Sequence, residues 1–148
     1  SHFESALATY IVLTTYIPML MDTGGNSGSQ SSVTIIRGLS LQQIQFSDIL
    51  RVVWKESRVA ILCALTLSVF NFAKLMLFDG VGLYVALIIC ITLSATVFVA
   101  KIVGCIMPML AKKVGFDPAV MASPFITTIV DALSLIIYFS TASAILGI

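Results

Sequence analysis

The chain has 148 residues, of which 59% are hydrophobic and 10% charged, and its mean hydropathy is +1.08. Soluble domains carry about 45–50% apolar and about 25% charged residues, so the composition points to an integral membrane protein, all-α, built as a polytopic helical bundle. The formal net charge is +1, with Lys and Arg spread over connectors and span ends. No basic face is formed, and nucleic acid is excluded as a partner.

A crossing helix needs about 20 apolar residues to traverse a hydrocarbon core of about 30 Å. Four windows fit, and together they make residues 1–148 one transmembrane domain. The first, residues 6–36, begins as "ATYIVLTTYIPMLM" and then turns polar through "DTGGNSGSQSS", Asp22 to Ser32. Along it Thr15, Pro18, Asp22, Gly25, Ser29 and Ser32 step by three and four and share one helical face. Gly24 and Gly28 have the spacing of a close helix contact. Gly24 and Gly25 are alternatively a place where the helix loosens and exposes carbonyl oxygens, reinforced by Pro18, with Asn26 and Gln30 amides beside them. The expectation is a glycine-interrupted helix lining a hydrated path for a cation.

Residues 41–56, "LQQIQFSDILRVVWKE", have an amphipathic pattern with Trp54 among basic residues. They are expected to form a separate interfacial helix on the cytosolic side. The second span is expected at 57–78 and the third at 82–107. Lys74 and Lys101 lie near their span ends, where a lysine snorkels to the interface. Arg37, Arg51, Lys55 and Arg58 precede the second span, and Lys112 and Lys113 follow the third. The positive-inside rule therefore places loops 37–58 and 108–121 in the cytosol. With four spans both termini face outside, so a further helix is expected ahead of Ser1. Cys63, Cys90 and Cys105 lie in apolar runs without a paired-cysteine motif and read as packing residues.

The fourth span, 122–148, carries Asp131 well inside it. An ionised carboxylate at a helix centre costs about 2.5–3.5 kcal/mol on insertion scales, so it is expected to face an ion, a partner or water. Thr127, Asp131, Ser134, Tyr138 and Thr141 recur at steps of four and three, which makes one polar stripe. Ser/Thr stripes also serve plain packing, and a structural pairing of Asp131 with Lys74 or Lys101 is the competing reading. Enzymatic chemistry has no support. His2 is the single histidine, no metalloprotease spacing occurs, and Asp22 and Asp131 lie in no protease-like motif.

Two stretches resemble a known family. "PMLMDTGGNSGSQSS" followed by "RGLS", and "GFDPAVMASPFITTIVDALSLIIYF", resemble the signature and the last loop and helix of MgtE magnesium channels and transporters. Animal solute-carrier relatives share that membrane module. The resemblance implies a homodimer in membrane lipid, of prokaryotic plasma membrane, that passes Mg²⁺ through a pore at the protomer interface. It implies that the Asp131 pair holds the hydrated ion and that Asp117 binds Mg²⁺ near the gate. Asn26, Gly24 and Gly25 would line the pore, with Pro18, Ser29, Ser123, Thr127, Ser134 and Tyr138. The family's first helix and cytosolic sensor are not in this chain. Asp22 departs from the pattern and adds a carboxylate, an extra cation site or a solvated charge. Oxygen ligands and retained water suit Mg²⁺, and the same set would accept Mn²⁺ or other divalent cations. A Na⁺- or H⁺-coupled exchanger and a non-transporting scaffold dimerised through Gly24 and Gly28 are the rival functions.

Overall fold

The computed structural model describes residues 2–147, with the side chains of residues 8–122 and 124–147. Five helices follow one another: α1 (His2–Thr15), α2 (Ile17–Ser40), α3 (Ile49–Lys74), α4 (Leu83–Lys113) and α5 (Ser123–Leu146). Short 3₁₀ turns at Phe46–Asp48 and Pro118–Met121 lead into α3 and α5. Among the described residues three segments are long and apolar enough to cross a membrane: Phe46–Asp79, Leu83–Lys113 and Pro124–Leu146.

The first expected span is corrected by this architecture. Residues 6–36 are divided between α1 and α2, and the break falls at Tyr16 rather than at the glycines. Pro18 is the cause. It has no N–H to give to the Thr14 carbonyl, and its ring crowds that carbonyl, so the helix ends ahead of it and restarts with proline in its first turn. Thr14 and Thr15 turn their hydroxyls back onto the Ile11 and Val12 carbonyls, each at 2.7 Å.

α2 then runs unbroken through Gly24, Gly25 and Gly28. Tertiary packing overrides the low helix propensity of glycine here. A Cβ on Gly28 would meet the Ala100 carbonyl oxygen at 3.1 Å, and one on Gly24 would collide with Thr96 and Val130. A Cβ on Gly104 of α4 would strike the Gly28 backbone. These glycines therefore let α2 sink between α4 and α5 within one protomer, which withdraws the independent support that the Gly24/Gly28 face gave to a dimer contact.

The separate interfacial helix expected at 41–56 is also corrected. Leu41 to Gln45 make a turn, with Gln42 at φ 58°, and from Ile49 onward the chain is already α3. The last two turns of the amphipathic stretch are thus the start of the second span. α4 likewise continues six residues past the expected end at 107, carrying Pro108 buried inside it. α3 closes in a wider π turn, Leu75–Asp79, that stops at Gly80 with φ 61°.

α2 packs on α4 and α5, whereas α3 packs chiefly on α4. The larger core gathers Leu20, Leu75, Ile88, Ile89 and Val97, and a second cluster joins Ile35, Leu39, Cys105 and Met109. Leu62, Leu65, Val69 and Phe70 of α3 stand exposed, as a lipid-facing wall requires. At one end Tyr16 and Lys74 both donate to the Asp79 carboxylate, at 2.9 and 3.1 Å. At the other, Ser32 donates to the Met121 carbonyl at 2.5 Å and Lys112 to the Leu39 carbonyl at 3.3 Å. Lys74 is therefore held in an ion pair beside Tyr16. Cys63, Cys90 and Cys105 are free thiols set among packed side chains, as expected.

Candidate cation site

α2 and α5 run side by side and leave a cleft of about 290 Å³ lined by Met21, Asp22, Gly25, Asn26, Thr127 and Asp131. Its shape follows from local sequence. Gly25 has no side chain where Thr127 leans in, and a Cβ there would meet the threonine methyl at 3.0 Å. Thr127 and Thr128 both turn their hydroxyls onto the Pro124 carbonyl in the first turn of α5, at 3.0 and 2.9 Å. Asp22 and Asn26 are one turn apart on α2, and the Asn26 amide donates to the Asp22 carboxylate at 3.2 Å.

Asp131 is half-buried and has neither a hydrogen-bond nor an ion-pair partner among the described residues. Lys74 is engaged by Asp79 and Lys101 by Ser31, so neither lysine supplies the structural pairing. A carboxylate at membrane depth in a polar cleft calls for water or a cation. Among the described residues no three His, Cys, Asp or Glu side chains converge. One protomer thus offers two carboxylates and an amide, a set that suits an ion keeping much of its own water better than a closed protein cage.

The polar stripe of α5 is divided. Thr127 and Asp131 face the cleft, but Ser134 and Tyr138, expected to line it, are turned into the protomer. Ser134 is buried with its hydroxyl on the Val130 carbonyl at 2.7 Å. Tyr138 is buried beneath the end of α1 and donates to the Leu13 carbonyl at 2.6 Å. The face is continuous, but its neighbours change along the helix. Gly24, also expected to line the path, is buried against α4 and α5.

Pro18 stands exposed at the start of α2, away from the cleft lining. Ser29 borders a different cavity, between α2 and α3. Ser123 begins α5, and its side chain lies outside those described. Asp117 caps the 3₁₀ turn ahead of α5, accepting the Ala119 N–H at 3.0 Å. It is set apart from Asp131, in a cavity of about 240 Å³ with Ile36, Leu39, Ser40 and Lys112.

Sequence reasoning missed one polar cluster. Lys101, expected to snorkel, is 5% exposed, with its ammonium 3.5 Å from the Ser31 hydroxyl. Ser31 in turn donates to Glu56 at 2.7 Å. The signal was present in the length of α4, which continues three turns beyond Lys101 and so leaves it no nearby helix end.

Fold and cleft together define a helical membrane bundle with an acidic, water-accessible furrow between two of its helices. A family model described as a divalent cation transporter, MgtE, matches residues 17–141. The chain belongs to the MgtE family. It is 38% identical over 144 residues to the magnesium transporter MgtE of Thermus thermophilus, covering 97% of this chain and 32% of that protein. It is 34% identical to the magnesium transporter MgtE of Bacillus subtilis, with the same two shares, and 33% identical to that of Enterococcus faecalis, covering 97% and 31%. The chain spans about a third of the length of these relatives.

Proposed function

We propose that this chain is the membrane portion of a Mg²⁺ transporter that works as a homodimer, with the α2–α5 clefts of two protomers facing each other across the ion path. The observation that carries the reading is Asp131, a half-buried carboxylate inside a membrane helix, unpartnered among the described residues and opening into a cleft shared with Asp22 and Asn26. Two such carboxylates across a dimer axis repel, and a divalent cation between them offsets that repulsion. Because Mg²⁺ sheds water reluctantly, contact runs through its hydration shell. The same oxygen set would accept Mn²⁺ and other small divalent cations. Asp117 provides a carboxylate at the cytosolic end, where it helps bind Mg²⁺ near the gate. The three relatives, all magnesium transporters, support Mg²⁺ as the cargo.

The test is Mg²⁺ uptake into liposomes carrying the intact protein or its Asp131→Asn variant, under an imposed membrane potential and without Na⁺ or proton gradients. Uptake by the parent that is lost in the variant is the expected result. Uptake that appears only with a counter-ion gradient replaces the conducting path with a coupled exchanger. Equal uptake by parent and variant removes Asp131 from the ion path.

A further inference from the structure

A larger cavity on the α3 side of α2 shares Asn26 with the cation cleft and is otherwise lined by different residues. It lies between α2 and α3 with α4 as its floor, has a volume of about 760 Å³, and is bordered by Gln30, Ser31, Glu56, Val59 and Lys101. Beyond it a second hollow of about 510 Å³ continues along α3 past Leu62, Thr66 and Leu67, sharing Lys101 and Gln30 with the first. The chamber thus opens into a hollow with Leu62, Cys63 and Leu67 of α3 on one wall and Thr23, Asn26 and Ser27 of α2 on the other.

Lys101 is more than nine-tenths buried and borders both hollows. Ser31 accepts one of its N–H groups at 3.5 Å, and the remaining donors have no protein acceptor among the described residues. A buried ammonium with open donors needs an anionic oxygen or ordered water. Glu56 supplies the opposite charge in the same chamber, with one carboxylate oxygen taken by Ser31.

Depth is fixed by the flanking residues. From Leu83 to Lys101 the helix rises about 27 Å, close to the thickness of a hydrocarbon core. Trp54 stands 67% exposed two residues before Glu56, with Arg51, Lys55 and Arg58 on the same stretch. Interfacial tryptophan and basic residues mark headgroup level. The chamber therefore sits at the cytosolic headgroup boundary, and the hollow points from it toward the bilayer centre.

We propose that this cavity binds a glycerophospholipid of the cytosolic leaflet with an ethanolamine headgroup. Its phosphate takes the open donors of Lys101, its ammonium faces Glu56, and one acyl chain lies along Val59, Leu62 and Leu67. An ammonium headgroup matches a chamber that holds one fixed charge of each sign, whereas an anionic headgroup would leave Glu56 facing a like charge.

The site is tested with the intact protein by native mass spectrometry from a mild detergent and by labelling in membranes with phosphatidylethanolamine that keeps its free ammonium and carries a diazirine on one acyl chain next to the glycerol. The parent is expected to retain phosphatidylethanolamine over phosphatidylglycerol. Lys101→Met is expected to lose the bound lipid by about tenfold or more, the scale of a charge-assisted hydrogen bond, while Lys101→Arg retains it. Glu56→Gln is expected to keep lipid but lose the preference for ethanolamine. Label is expected on the peptides holding Gln30 and Val59. Equal retention by parent and Lys101→Met overturns the proposal, as does a chamber filled by another polypeptide segment with no label on those peptides. If Lys101→Met fails to fold, the label map on the parent decides alone.

Discussion

The Asn26 side-chain amide donates to the Asp22 carboxylate at 3.2 Å, one turn away on α2, and both residues border the cleft that Asp131 enters. The bond fixes which way the extra carboxylate leans. Replacing Asn26 by Ala frees Asp22 to rotate into solvent while leaving Asp131 untouched. An exposed hydrogen bond of this length lies at the low end of the range, about 0.5 kcal/mol, so Mg²⁺ uptake in liposomes is expected to fall about twofold in Asn26→Ala. Asp22→Asn is expected to fall similarly, and the double variant no further than either alone. A double variant whose losses multiply would mean that the two residues act separately.

Gly28 and Gly104 bring α2 and α4 together so closely that a Cβ on Gly104 would strike the Gly28 backbone. Backbone cannot yield as a side-chain tip can. Gly104→Ala is expected to lower stability by about 1–3 kcal/mol, the usual range for overpacking, read as an earlier thermal transition of the detergent-solubilised protein. Gly82→Ala is the control. A Cβ there meets nothing within 4 Å, and its transition is expected to stay in place.

What the sequence disclosed and what it hid divide along a physical line. Composition identified a helical membrane protein, and the isolated carboxylate in an apolar run marked Asp131, because both signals are carried by residue type alone. The meeting of Asp22, Gly25 and Asn26 with Thr127 and Asp131 was legible from helical period plus the family resemblance. The uses of Gly24, Ser134 and Tyr138 were not. Periodicity says which residues share a face, but only the neighbouring helices decide whether that face is a cleft or a contact. The continuity of α2 through its glycines was hidden for the same reason, since α4 and α5 hold it from outside. Lys101 lies deeper than an apolar run ending at 107 implies, because α4 continues to Lys113.

Tyr138 is buried, and its hydroxyl donates to the Leu13 carbonyl at 2.6 Å, joining α5 to the last turn of α1. That carbonyl also accepts the Tyr16 N–H at 3.2 Å, so removing the phenol does not leave it bare. Tyr138→Phe is therefore expected to cost about 1 kcal/mol, at the modest end for a buried hydrogen bond. Its Mg²⁺ uptake at a temperature where it is folded is expected to match the parent. A selective loss of uptake with unchanged thermal stability would return Tyr138 to the ion path.

Pro18 breaks the first apolar run at Tyr16, and the consequence can be read on individual amides. In the parent, residue 18 has no N–H, and Tyr16 closes on Leu13 by a three-residue turn rather than a full α-turn. Pro18→Ala supplies a donor for the Thr14 carbonyl and removes the ring that crowds it. α1 and α2 are then free to fuse into one straight helix. Slower hydrogen exchange at residues 16–19 is the expected sign of fusion, together with weakening of the Tyr16–Asp79 bond that depends on the present bend. Thermal stability is expected to change by less than about 1 kcal/mol, because the gained helical hydrogen bond offsets the lost contact. Unchanged exchange at these amides would mean that packing around Leu13 and Leu20, rather than the proline, holds the break.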